Sequence, residues 1–275
     1  MNIIEQQQQH FNGIASEYHD SFNSDTAVYL ICKMWNILLK NSPLPTDQRI
    51  QRINFLDAMC GNAVVLDVFR KLGFTGINYN AFDYSPRMVA FAKARYPDCR
   101  IFEQDITTFC EPNTYDAICV MAGLHHVPTQ AEKVMANIYK SLKPGGLFFS
   151  AEPIHHNTIF GKIRNFIYAH NRMFDYESEK GFSADEWNAL VANNNLIVEH
   201  QIYPGLLAYV LIQIPFLFSR KFRYLTKLKI ANISINYCIR KWIDIESHLW
   251  GTSIARYFSF ATFGCYRKPG STTSF

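Results

Sequence analysis

The run Leu56-Asp57-Ala58-Met59-Cys60-Gly61-Asn62-Ala63, followed by Phe82-Asp83-Tyr84-Ser85, carries the strongest structural signal in this chain. Ile53 to Leu56 reads as a short apolar strand that runs into a turn of small residues. A helix then begins, with Val64, Val65, Val68 and Phe69 apolar. Phe82-Asp83 ends a second strand on an acid. A strand, a tight turn, a helix and an acid at the end of the next strand are how a Rossmann-like sheet holds a ribose-bearing ligand. The small turn lets backbone approach the ligand, and the carboxylate accepts hydrogen bonds from two ribose hydroxyls.

A dinucleotide site needs glycines that admit a pyrophosphate onto a helix N-terminus, and the Gly-x-Gly-x-x-Gly spacing is absent. The segment instead resembles motif I of the class I S-adenosylmethionine-dependent methyltransferases. Asp57 matches the motif's acid and Gly61 its central glycine, while Met59 and Ala63 stand where the flanking glycines usually are. Further matches follow in order. Asp83, with Tyr84, Ser85 and Met88 after it, resembles the motif whose acid binds ribose and whose apolar residue lies against adenine. Gln104-Asp105-Ile106, after the strand Arg100 to Phe102, resembles the motif that reaches the adenine amino group. Tyr115 to Val120 matches the fourth strand, Leu124-His125-His126-Val127 the loop after it, and Leu142-Lys143-Pro144-Gly145-Gly146-Leu147 the turn into the fifth. The resemblance covers residues 50 to 153. It implies S-adenosyl-L-methionine as cofactor, bound through Asp57, Met59, Gly61, Asp83, Tyr84, Met88, Asp105 and Ile106.

The alternation of strands and helices implies one α/β domain, a doubly wound, mostly parallel sheet of seven strands. Residues 1–48 read as an N-terminal helical cap, with Phe11, Ile14, Tyr18 and Phe22 at helical spacing and a second helix from Thr26 to Lys40. The phrase Phe11 to Tyr18 resembles the segment that closes over the cofactor in quinone-type and related small-molecule methyltransferases. By that resemblance Tyr18 faces the site; packing on a docking helix is the competing role. Residues 49–153 are the cofactor-binding core, and 154–182 show no clear period. Ser183 to Glu186 caps a helix reaching Asn193. Leu196 to Ile202 is the sixth strand and 258–268 holds the last. Between them, residues 204–257 form a helical, aromatic and basic insertion, expected to cover the acceptor.

Aromatic content is 15%, with 22 Phe and 15 Tyr, which points to a large apolar pocket or interface. Residues 1–150 hold 13 Lys and Arg against 14 Asp and Glu; residues 151–275 hold 14 against 9. The basic excess therefore sits outside the cofactor core. Seven scattered cysteines have no zinc-ligand spacing, no metal is expected, and a reducing, cytoplasmic compartment is. The polar N-terminus is not a secretory signal, and the apolar run 205–218 is too short to span a bilayer.

Methyl transfer from a sulfonium is an in-line displacement, chiefly a task of positioning. An oxygen acceptor must also lose its proton. The acceptor lies above the carboxyl ends of the strands, so the loops after strands four and five supply the candidate bases. These are His125, His126 and His155, and the pattern does not choose among them. His156, Tyr203, Tyr209, Phe216 and Trp242 are candidate acceptor contacts. Val120-Met121-Ala122-Gly123 stands where nucleobase-methylating relatives carry Asn-Pro-Pro-Tyr, which disfavours nucleic acid. The chain reads as a methyltransferase for a small apolar or aromatic acceptor, with oxygen favoured. Carbon methylation of a quinone- or lipid-like acceptor, with peripheral membrane contact through the basic insertion, is the second reading. A methyltransferase-like binding protein without catalysis is the third.

Overall fold

A computed structural model describes residues 5, 7–13, 24–44, 52–170, 179–213 and 229–270. Tyr18, Phe216 and the insertion's basic residues Arg220, Lys221, Arg223 and Lys227 lie outside them. Strands β1 (Ile53–Ala58), β2 (Ile77–Asp83), β3 (Arg100–Glu103), β4 (Tyr115–Met121), β5 (Leu142–Glu152), β8 (Ile197–Ile202) and β9 (Thr262–Arg267) form one sheet. Its order is β3-β2-β1-β4-β5-β9-β8. The first five strands pair in parallel, and β9 runs antiparallel between β5 and β8. The expected seven-stranded, mostly parallel sheet is present. Its central strands are nearly continuous apolar runs because helices cover both faces.

On one face, α1 (Asp25–Lys40), α2 (Val64–Lys71) and α3 (Pro86–Arg95) enclose a core around Trp35. That indole meets the rings of Phe55, Phe69, Phe149 and Phe263 at 4.9–6.3 Å, within the range where aromatic pairs attract beyond simple burial. On the other face, α4 (Ala131–Ser141) contributes Val134, Met135 and Ile138. Beside it, α6 (Ala184–Asn193) contributes Trp187 and Leu190, and Trp187 Nε1 donates to Tyr266 Oη at 2.8 Å. Ser183 and Glu186 complete a reciprocal capping box at the start of α6, as their spacing predicts.

Two expectations change. Residues 154–182 contain a helix, α5 (Thr158–His170), and a small parallel pair, β6 (Ile154–His155) with β7 (Phe182–Ser183). The helix buries Gly161, Arg164 and Tyr168 and exposes Ile159, Ile163 and Phe166, so apolar residues on its outer side erase the usual period. The last strand begins at Thr262 because Ser253–Phe258 is a short helix, α9, capped by Thr252.

The insertion between β8 and β9 also holds α7 (Leu207–Gln213) and α8 (Lys229–Ser247). In α8, Asp244 accepts from Tyr29 Oη at 2.7 Å and Lys33 Nζ at 2.8 Å, both on α1. The buried Glu246 accepts from the Ala208 N–H at 2.8 Å and from Trp242 Nε1 at 2.9 Å. These bonds lock α8 to α1 and α7.

Candidate active site

Between β1 and α2, Met59, Gly61 and Ala63 all take left-handed φ, at 57°, 52° and 58°. These are the three alternating positions at which glycine would be unstrained. The turn therefore keeps its shape without two of its glycines, at a strain of about 1–2 kcal/mol for each non-glycine residue. Gly123, in the loop after β4, accommodates Met59. A Cβ on Gly123 would lie 2.7 Å from Met59 Sδ, so the bulk of Met59 occupies space left by a missing side chain.

Asp57 is 1% exposed and faces the α1 side of the sheet. It accepts from Tyr79 Oη at 2.5 Å and from Cys119 Sγ at 3.1 Å. Its carboxylate thus ties β1 to β2 and β4 inside the sheet, a structural role the sequence reading did not include. Burial pushes its pKa up to about 6, against those two hydrogen bonds.

Asp83 ends β2 beside the turn. Its Oδ2 accepts from the Gly61 N–H at 2.8 Å and its Oδ1 from the Ser85 N–H at 2.9 Å. Burial raises its pKa, and these backbone donors oppose the rise. Each oxygen keeps a further lone pair for a ligand hydroxyl. The N-terminal helical residues lie against the same place. Gln8 Nε2 donates to the Tyr84 carbonyl at 2.9 Å, and Ser85 Oγ to Asn12 Oδ1 at 2.6 Å. Met88 and Ile106 are buried, and Asp105 Oδ1 accepts from the Thr107 N–H at 2.8 Å. A glycine-shaped turn, an anchored acid with spare lone pairs and apolar residues beside it fit S-adenosylmethionine.

At the carboxyl ends of β4 and β5 lies a buried cluster. Glu152 accepts from the N–H groups of Gly123 at 3.1 Å, Leu124 at 2.9 Å and His125 at 3.3 Å. His125 Nδ1 lies 3.0 Å from Glu152 Oε2. His126 Nδ1 lies 3.3 Å from Glu179 Oε1, and His125 Nε2 lies 4.0 Å from Glu179 Oε2. Burial pushes Glu152 up to about 7 and holds His125 well below the usual imidazole range. Burial also opposes the charge of His126, but the carboxylates of Glu179, Glu152 and Asp83 outweigh it and its pKa rises. Phe11 sets its ring against His126 at 4.8 Å. His125 and His126 are therefore together, with Asp83 near enough to influence His126.

The other candidates sit differently. His155 Nδ1 lies 3.2 Å from Arg164 Nη1, and its ring packs on Gly161, where a Cβ would lie 2.8 Å from Nε2. An imidazole that accepts from a guanidinium and is wedged on a helix is an anchor, and burial and Arg164 both depress its pKa. His156 meets Tyr203 edge to face at 5.4 Å. Tyr209 is close enough to Arg164 and Glu152 to respond to their charges. Trp242 is 43% exposed and donates its N–H to Glu246, within the same helix.

Glu152, Glu179 and Arg164 escaped the sequence reading. Arg164 donates to the carbonyls of Pro153 at 3.0 Å and Phe260 at 3.1 Å, and its charge is felt at His125. Position gave a signal only for Glu152, which directly ends β5.

Comparison with known proteins completes the assignment. Residues 55–146 match a family model described as a methyltransferase domain. A carboxy-S-adenosyl-L-methionine synthase from Desulfotalea psychrophila is 28% identical over 148 residues, 51% of this chain and 56% of that protein. The chain thus spans about half the length of that curated relative. In a complex between the Haloferax volcanii Trm112 methyltransferase activator and a methyltransferase, one chain superposes with a TM-score of 0.60 at 16% identity. That match covers 94% of this chain and 97% of the other. A cyclopropane synthase from Mycobacterium tuberculosis gives a TM-score of 0.60 at 14% identity, over 90% of this chain and 88% of that one. At these identities the superpositions establish the fold. Residues 55–146 thus carry a methyltransferase domain match, and the ordered motifs and seven-stranded sheet are those of the class I S-adenosylmethionine-dependent methyltransferase fold, to which the chain is similar.

Proposed function

We propose that this protein moves a methyl group from S-adenosylmethionine to an oxygen of a small apolar or aromatic acceptor. The observation that carries the reading is the placement of the buried His125-His126-Glu152-Glu179 cluster beside the Asp83 turn, at the carboxyl ends of the strands. A cofactor held by Asp83 would lie beside that cluster, whose His126 feels the Asp83 charge. In the reaction, an O–C bond forms as the S–C bond breaks, the electron pair stays on sulfur, and the acceptor's proton leaves through the cluster. Phe11 and Tyr209 lie beside it and supply apolar surface, the usual character of a small-molecule site. The left-handed backbone at Met59 and Ala63 argues against a domain that has lost its cofactor turn.

A second reading, carbon methylation of a lipid-like acceptor at a membrane face, draws on the exposed Ile159, Ile163 and Phe166 of α5. Among the described residues, no helix is long and apolar enough to cross a membrane.

Calorimetry with S-adenosylmethionine, S-adenosylhomocysteine and NAD tests the cofactor. Incubation with a panel of phenols and quinones, read by mass spectrometry for a gained methyl, tests the acceptor. Binding of NAD with no response to either sulfur nucleoside overturns the proposal. Carbon-methylated products from quinones, with phenols untouched, favour the second reading.

A further inference from the structure

We infer that His125, His126 and Glu179 form a binding site for a divalent transition-metal ion of the zinc class. Their ligand atoms all lie within 4.8 Å of one another in a buried pocket. A metal with bonds of about 2.0–2.2 Å to nitrogen and oxygen holds tetrahedral ligands roughly 3.4 Å apart. The His126 Nδ1 to Glu179 Oε1 distance, 3.3 Å, already has that value, and the 4.0 Å from His125 Nε2 to Glu179 Oε2 exceeds it by little. Side-chain adjustments of about 1 Å close the set.

Two further observations point to a cation. Glu152 faces His125 Nδ1 at 3.0 Å and is itself fixed by three backbone N–H groups. A carboxylate on one imidazole nitrogen places the proton there and leaves Nε2 bare toward Glu179, the arrangement found behind metal-bound histidines. In addition, His126 Nδ1 is a buried atom with no hydrogen-bond partner among the described residues. It faces Glu179 Oε1 at 3.3 Å, the separation of two ligands on one ion. Two imidazoles and one carboxylate select transition ions over Mg²⁺ or Ca²⁺, which prefer oxygen. Three protein ligands leave one position open, as in sites where a metal meets a substrate oxygen. The sequence showed no such site because Glu179 is remote from the histidine pair along the chain.

The site stands independently of the acceptor's identity, and its test needs no turnover. The full chain, stripped with chelator, is titrated with Zn²⁺ by calorimetry and with Co²⁺ by visible absorption. A Cys110→Ser, Cys238→Ser background removes the two exposed thiols. One equivalent should bind with a nitrogen- and oxygen-ligand spectrum, and Mg²⁺ should not compete. His126→Ala and Glu179→Gln should each weaken Zn²⁺ binding at least about 10-fold, and Glu152→Gln by roughly 10- to 100-fold. S-adenosylhomocysteine affinity, measured on the same samples, reports the cofactor site separately. Failure of the chain with its native cluster to bind stoichiometric Zn²⁺ while binding S-adenosylhomocysteine overturns the proposal, whether or not the variants fold. Binding that survives all three substitutions in folded variants also overturns it.

Discussion

Replacing Asp57 with Asn changes how stability depends on pH, by an amount the structure supplies. Asp57 is enclosed at the centre of the sheet, and burial lifts its pKa to about 6 from an ordinary 3.8, against hydrogen bonds from Tyr79 and Cys119. The native state therefore keeps this proton at pH values where the unfolded chain has lost it. Folding binds protons in that window, so stability falls as pH rises from about 4 to about 6 and is level above. Two pKa units correspond to about 3 kcal/mol at 1.36 kcal/mol each. Asn keeps an oxygen to accept from Tyr79 and carries no charge. The variant should lack this slope and exceed the parent by up to about 3 kcal/mol at pH 7.5, with little difference at pH 4. Urea unfolding of both proteins across this range, followed by circular dichroism, gives the difference directly. A stability difference that is constant from pH 4 to 7.5 would refute the assignment of a buried, titrating Asp57.

Asp83→Ala should weaken S-adenosylhomocysteine binding by about 1.5–3 kcal/mol, the scale of hydrogen bonds to a charged group, and calorimetry reads it. Unchanged affinity would remove Asp83 from the cofactor site. Arg164→Met leaves the carbonyls of Pro153 and Phe260 without their guanidinium donor, and should cost about 3 kcal/mol in urea unfolding. A loss below about 0.5 kcal/mol would show that solvent replaces it. Ser183→Ala breaks the capping box of α6 and should cost about 1 kcal/mol, seen as a lower urea midpoint. An unmoved midpoint would mean that tertiary contacts alone hold the start of that helix.

The cofactor half of the protein was legible because its signals are local. A strand, its turn and the following helix lie within a few residues of one another, and an acid at a strand's end needs only the strand to be recognised. Thus the strand end at Asp83 and the turn around Gly61 could be read from order and spacing, as could the capping box at Ser183. The parallel sheet followed from the alternation of elements. Local pattern misled where tertiary packing inverted it. Helix α5 shows no period because Ile159, Ile163 and Phe166 point outward while Arg164 is buried. The role of Asp57 depended on Tyr79 and Cys119, which reach it only once β2 and β4 flank β1. The choice among histidines was likewise beyond any spacing rule. His155 is held by Arg164 and Gly161, whereas His125 and His126 meet Glu152 and Glu179 only because loops from separate elements converge above the sheet. Sequence determined the scaffold, since backbone propensity and hydrophobic period act between near neighbours. Tertiary structure alone decided which buried charges face one another, because that is set by chain closure over long separations.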